Sequence, residues 1–466
     1  MKKIFSILLA TAMLFSLCAC GPKEEPEPES KLLIGYGKAE MTPEDSIPLN
    51  GYGTSSNRMS TEVLDDLYVT CIAVKDEDTT TLLYSQDLLT TTAVLTSSLR
   101  SDISNGTQVL SADIFISATA TYSAPDMKST HENMTPFMEK YRAALVSAGQ
   151  QALADLAPSK LYYSTTEVEG LSFNDQYIME DGTVEDGRYG FFDREIKGHA
   201  AEPDRTMRLV KVERTDKPAI LMVNWQCRPT LTGGADKTVI SADFVGYMRD
   251  KVEADSDMLC IYFSGALGDI SPYTKIESED HGLDVKEYGE KLAEYALNAT
   301  AEMTRLVGET AATYPGKHTC IVNHDEEDKV ELAQQVVDER KVNGKESADK
   351  LAKQLGFRSV YHAADIVSRP GRNQKESFEI SSMRIGGLGV MMFPMQIFSD
   401  TGVKTLEKCP TEFSFVLGQA NAAWYAIPAE SAFEYGGYDV DTSYFAKGAG
   451  EKIGKLLAEM VLMTMD

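Results

Sequence analysis

Ser271 is the side chain in this sequence that most invites a chemical role. It stands in Gly268-Asp269-Ile270-Ser271-Pro272, just beyond an apolar run. A serine hydroxyl attacks an amide or ester only when a base, a metal or a lowered pKa activates it. The spacing places none of these beside it. The six histidines, His131, His199, His281, His318, His324 and His362, are scattered, with no pair at i, i+2 or i, i+4. Such pairs are what put two imidazoles on one ion. His131 and His199 follow polar segments and are the two that could approach a cleft. The other reading of the segment is a structural turn in which Asp269 caps the chain that follows.

Four segments share one character: an apolar strand that ends in small, polar, turn-forming residues. They run Phe115–Asp126, Met222–Leu231, Ile240–Arg249 and Tyr262–Tyr273. In open α/β sheets ligands bind at such strand ends. Asp243 and Asp269 lie in two of these segments, and Arg228 in a third.

The elements that must hold these ends alternate between strand and helix. Leu67–Lys75 and Thr81–Ser85 read as a hairpin, Thr90–Ile103 as a helix, Gln108–Thr119 as a strand and Thr135–Leu156 as an amphipathic helix. Thr206–Glu213 and Ala219–Gln226 read as paired strands, followed by a helix over Phe244–Ala254, a buried strand over Leu259–Ser264 and a helix over Val285–Leu306. Glu326–Leu355 is charged and helical, a surface excursion, lid or interface. The segments Phe378–Phe393 and Glu412–Gln419 and a helix over Gly448–Met463 close the chain. This order predicts an α/β fold with a mixed, mainly parallel sheet and helices on both faces.

The chain opens Met1-Lys2-Lys3 and continues with the apolar run Ile4–Leu17, too short to cross a bilayer but laid out as a secretory signal. Leu17-Cys18-Ala19-Cys20-Gly21 then looks like a lipobox. The sequence thus predicts a signal peptide over 1–19, a lipid on Cys20, a Pro/Glu-rich tether over 20–31 and one domain over 32–466. The expected location is the extracytoplasmic face of a membrane, with the lipid as anchor. The net charge of −26 excludes nucleic acid as a partner. Beyond Cys18 and Cys20 the cysteines are Cys71, Cys227, Cys260, Cys320 and Cys409, without any CxxC. They read as small buried hydrophobes with at most a disulfide or two.

From Leu33 to Val440 the order of segments resembles the neutral/alkaline (non-lysosomal) ceramidase family, zinc amidases that cleave the N-acyl bond of ceramide. The resemblance rests on IGYGKAEMTP with PLNGYG, on PDRTMRLVKVERTDKPAILMVNWQCRPT, and on SADFVGYM and SGALGDISP. It implies that family's catalytic fold, without the immunoglobulin-like domain for which the short C-terminal stretch leaves no room. It also implies that Ser271 matches the family's catalytic polar position. The metal-binding positions depart from the family. Its two histidines of Thr-His-Thr-His fall on Ala120 and Tyr122, and the histidine of His-Pro-Thr on Arg228. The glutamate of Pro-Gly-Glu falls on Gln396, and the C-terminal tyrosine on Ala426, with Tyr425 one place off. Catalytic zinc needs about three N, O or S⁻ donors and an open position. Ala120 has no donor, Gln396 is a weak neutral one, and Arg228 is a permanent cation.

No zinc or other cofactor is therefore expected. Arg228 could carry the charge that the metal carries in the family, holding Tyr122, Gln396 and Asp243 by hydrogen bonds. Alternatively it pairs with Asp243 and closes the pocket. The sequence points to a non-catalytic homologue that binds a small lipid, amide or sugar. The alternative is an amide or ester hydrolase using Ser271 or a relocated metal.

Overall fold

The computed structural model describes residues 30–52, 58–187, 195–233, 237–422 and 425–465. The expected signal peptide, the expected lipidation site Cys20 and nearly all of the expected tether lie outside them. Everything below concerns the unit Lys31–Asp466. No helix among the described residues is long and apolar enough to cross a membrane.

Nine strands form the main sheet. Its path runs from Leu259–Ser264 through Lys217–Trp225, Thr206–Arg214, Ala157–Glu167, Leu33–Glu40, Tyr68–Lys75 and Thr80–Gln86 to Ile114–Ala118, with Thr304–Leu306 also beside Ala157–Glu167. The sheet is mixed and flanked by helices, but it is mainly antiparallel, which corrects the parallel expectation. Only Lys217–Trp225 with Leu259–Ser264, and Thr80–Gln86 with Ile114–Ala118, run parallel. These are the pairs whose connection carries a helix, Phe244–Asp255 and Ala93–Thr107 respectively. Parallel neighbours require such a crossover. Elsewhere short turns at 76–79 and 215–216 fold the chain straight back.

Each strand divides its residues between two layers by the period-2 alternation of the pleat. In Tyr68–Lys75, Val69, Cys71 and Ala73 face a core shared with the helices Ala93–Thr107 and Met134–Ala154. Ile72 and Val74 face the opposite way, into a core shared with Met383, Leu388 and Phe415. These last belong to a second sheet of Ala311–Ile321, Lys375–Ile385, Leu388–Met392 and Phe413–Leu417. The outer face of that sheet packs on the helix Ala449–Met463 through Ile453, Leu457 and Val461. The result is helix, sheet, sheet, helix.

Two glycines of the opening IGYGKAE explain how closely the first layer packs. A Cβ at Gly35 or Gly37 would stand 2.0 Å from the carbonyl oxygens of Ala152 and Ala148. The helix Met134–Ala154 therefore rests on bare backbone at these positions.

The large sheet curls until its two edges meet. Ser264 Oγ donates to Thr119 O at 2.7 Å, and Ser85 Oγ donates to Tyr262 O at 2.5 Å. Both parallel strand pairs, at opposite ends of the path, thereby deliver their carboxyl ends to one place.

Two further expectations need revision. The strand expected over Gln108–Thr119 is confined to Ile114–Ala118, because Ser111–Asp113 forms a short 3-10 turn. The helix expected to Leu306 stops at Ala299, and Thr304–Leu306 joins the sheet. All five cysteines among the described residues are free thiols, four of them buried.

Candidate functional site

The four strand-end segments do converge. Tyr122 N donates to Pro229 O, Ser241 N to Ser123 O, and Arg228 N to Ile270 O. Thr121 Oγ1 donates to Ser241 O at 2.8 Å. One backbone network thus ties together the segments that carry Tyr122, Arg228, Asp243 and Ser271.

At its centre lies a buried ion pair. Arg228 is 2% exposed, and its guanidinium donates to the Asp175 carboxylate and to Gly268 O, the latter at 3.2 Å. Asp175 is equally buried. Among the described residues Arg228 thus pairs with Asp175 and not with Asp243, and neither Tyr122 nor Gln396 hydrogen-bonds to it. Asp243 is spent on its own helix. With φ +57° it caps Phe244–Asp255, accepting from Phe244 N at 2.8 Å and from Thr232 N and Oγ1 at 2.7 and 2.6 Å. Burial pushes its pKa up, against these hydrogen bonds.

Asp269 binds the turn from below. It accepts from Asn174 Nδ2 at 2.9 Å and from Ser399 N at 2.7 Å, while its backbone oxygen accepts from Asp175 N. The glycines beside it serve close packing: a Cβ at Gly268 would stand 2.9 Å from Ile397 O.

Ser271 is buried at 1% exposure, paired in a two-residue ladder with Phe173. Its Oγ accepts from Tyr273 N at 3.3 Å. Two imidazoles stack near Phe173, and both are engaged elsewhere. His199 gives Nδ1 to Asn174 O at 2.6 Å and turns Nε2 to Thr274 and Glu279. His281 binds Pro272 O through Nε2 and accepts from Leu283 N at Nδ1. Neither is bonded to the Ser271 hydroxyl as a general base would be.

Ala120 is fully buried at φ +68° against Leu89 and Leu267. Gln396 gives its backbone oxygen to Ile427 N, and its side chain makes no hydrogen bond among the described residues. Tyr425 is 54% exposed and stacks on Tyr444 at 4.3 Å, away from the ion pair. Tyr122 is half-buried, edge-on to Tyr52 at 5.4 Å. Arg58 stands 5.0 Å from the Tyr52 ring centroid and donates to the backbone oxygen of Tyr122.

These residues do not fit a zinc ion. At the positions that the resemblance equates with ligands stand a methyl group, a phenol, a guanidinium already bound to a carboxylate, and a neutral amide. Among the described residues no three His, Cys, Asp or Glu side chains are grouped so as to hold a metal.

Sequence reasoning missed Asp175, Asn174, Tyr52 and Arg58. Asp175 falls between the very short strands Phe173–Asn174 and Gln176–Met179, which leave no periodicity to read.

Burial raises three carboxyls to a pKa of about 7: Asp65, Asp269 and Asp441. An acid whose folded pKa lies above its unfolded value binds a proton on folding, so stability falls as pH rises between the two values. His362, pushed down to about 4 by burial and by Arg358, acts oppositely below about 6.5. Three protons outweigh one. The melting temperature is expected to be higher at pH 5.5 than at pH 8, as read by circular dichroism.

No protein-family model matches the chain, and no curated protein matches it. Solved structures do. Neutral ceramidase from Pseudomonas aeruginosa superposes with a TM-score of 0.68 at 15% identity, covering 94% of this chain and 75% of that one. A ceramidase complexed with C2 gives a TM-score of 0.68 at 14% identity, covering 93% and 75%. At these identities the likeness is one of fold.

Proposed function

We propose that this chain is an exported surface lipoprotein, anchored through Cys20, whose ceramidase-like domain binds a small lipid, amide or sugar and does not cleave it. The observation that carries this reading is the buried Arg228–Asp175 pair. It occupies the strand-end position where the resembled family places a metal-binding histidine. A guanidinium there repels a divalent ion, and its bond to Asp175 takes up the nearby carboxylate. No zinc is used, and a net charge of −26 argues against nucleic acid as partner. Beside the pair, the half-buried rings of Tyr52, Tyr122 and Tyr273 would offer aromatic edges and hydroxyls to an uncharged polar ligand.

A second reading, hydrolysis of an amide or ester through Ser271, is favoured by its place where the four strand ends meet. Turnover of N-acyl amides and of activated esters separates the two. The expected result is hydrolysis no faster than the buffer background, and the same for Ser271→Ala. Turnover that Ser271→Ala abolishes would establish the hydrolase instead.

A further inference from the structure

Three Asn-Gly steps occur in the chain, at 50–51, 105–106 and 343–344. Glycine has no Cβ to shield its amide nitrogen, so that nitrogen can turn onto the carboxamide carbon of the side chain before it. Whether it does so depends on how firmly the backbone is held and on the access of water. The three steps differ in both respects.

Asn50 is half-buried, its N–H donates to Ala124 O at 2.9 Å, and its backbone oxygen accepts from Arg58 Nη1 at 2.9 Å. The N–H of Gly51 is itself engaged with Asn50 Oδ1 at 2.8 Å, and a Cβ at Gly51 would stand 2.6 Å from the Tyr122 ring. Asn105-Gly106 lies within the helix Ala93–Thr107. Gln150 Nε2 donates to Gly106 O at 2.8 Å, and a Cβ at Gly106 would stand 2.5 Å from Val146 Cγ1.

Asn343-Gly344 is placed differently. It forms the elbow of Val330–Gln354, the helix expected as a charged excursion, which Gly344 breaks into two arms at φ 82° and ψ 179°. The arms pack through Ala333 and Val336, and through Ala348 and Ala352, into one small core with Val360 and Ile366. The elbow itself stands clear. Lys341, Val342, Asn343 and Gly344 are all exposed, and nothing lies within 4 Å of where a Gly344 Cβ would be. One carboxylate ties the arms across the elbow: Glu339 accepts from Asn343 Nδ2 at 2.9 Å and from Ser347 Oγ on the far arm. These donors, Ser347 first, hold the Glu339 carboxyl below its ordinary pKa.

We propose that Asn343 is a site of spontaneous deamidation, and that its conversion unties the elbow. Gly344 N bonds to Asn343 Cγ, the Cγ–Nδ2 bond breaks, and ammonia leaves carrying the proton of the Gly344 amide. Water then opens the five-membered imide at either carbonyl, giving aspartate or isoaspartate. Water is the only co-reactant, and the net change is NH2 for OH. The new acid ionises at neutral pH, so a donor to Glu339 becomes a second carboxylate. It stands four residues from Glu339, the spacing at which like charges on a helix repel. Ser347 alone then spans the elbow to Glu339.

The test is peptide mass analysis of the full chain during incubation at pH 8 and at pH 6, reading the NH2-to-OH mass gain at each of the three steps. Asn343 is expected to convert at least tenfold faster than Asn50 or Asn105, and faster at pH 8 than at pH 6. Hydrogen exchange then reads the consequence. In Asn343→Asp the amides of 344–348 should exchange at least fivefold faster than in the parent. Adding Glu339→Gln should restore their protection, because an amide there both donates to the new carboxylate and accepts from Ser347. The incubated parent, with its Asn343 converted, supplies the same reading without a variant. The proposal is overturned if Asn50 or Asn105 converts as fast as Asn343. It is equally overturned if both Asn343→Asp and the converted parent exchange like the unconverted chain, or if Glu339→Gln restores nothing.

Discussion

Arg228→Ala is expected to destabilise the domain by about 3–5 kcal/mol, the usual cost of removing one partner of a buried ion pair. Arg228 and Asp175 are both almost wholly buried, so water cannot replace the lost guanidinium. The loss also withdraws the donor to Gly268 O, in the turn that carries Asp269 and Ser271. The effect should be read from urea denaturation at constant m-value. Replacing both partners, as Arg228→Met with Asp175→Asn, is expected to recover much of the loss, because the uncompensated charge then disappears. A cost below about 1 kcal/mol for Arg228→Ala would mean that the site is wetter and more open than its burial implies.

Arg249→Ala is the companion case, with a similar expected cost of about 3–5 kcal/mol. Arg249 ends the segment Ile240–Arg249, one of those that carry the family resemblance. Its guanidinium reaches Asp87 with two bonds, Nη1 to Oδ1 at 3.0 Å and Nη2 to Oδ2 at 2.5 Å, and both residues are essentially unexposed. Asp87 in turn accepts from Tyr68 N at 2.9 Å, at the start of a central strand. This fork fastens the helix Phe244–Asp255 to the far half of the curled sheet. Asp87→Asn keeps the shape but removes the charge, so it too should destabilise, and Arg249→Lys should not rescue the bidentate geometry. Thermal melts of the three variants check this, and unchanged melting of Arg249→Ala would contradict it. The segment thus resembles an internal motif of the ceramidase family, while Asp243 and Arg249, its two charged residues, are both occupied in holding architecture.

Much of the fold was legible wherever an element has one clear period. Leu259–Ser264 is a run of apolar residues closed by a turn, and it forms the strand read from it. The hairpin around 76–79 and the helices near 134–154 and 449–463 were equally plain. Strand direction was not. The antiparallel character comes largely from Ala157–Glu167 and Leu33–Glu40, whose pairings set the middle of the sheet. Ala157–Glu167 is rich in Ser and Thr and carries Pro158 at its second position, so its alternation is faint. Ala311–Ile321 was hidden for a similar reason, since Pro315-Gly316 inside it reads as a turn.

At the candidate site, the sequence identified the segments that converge, because each ends an apolar strand in small polar residues, while the substituted positions came from the resemblance to the ceramidase family. It could not choose the partner of Arg228. Asp175 is 53 residues away in sequence, and its backbone is held there by bonds to Asp269 O and from Gly187 N. Such a pairing is tertiary and leaves no local spacing.

The most direct test of the central claim is the zinc content of the purified chain after incubation with zinc and desalting. The Arg228–Asp175 reading predicts far less than one zinc per chain, with the same low value for Ser271→Ala. About one zinc per chain, retained through desalting, would contradict it and would mean that the protein assembles a metal site from residues other than those described.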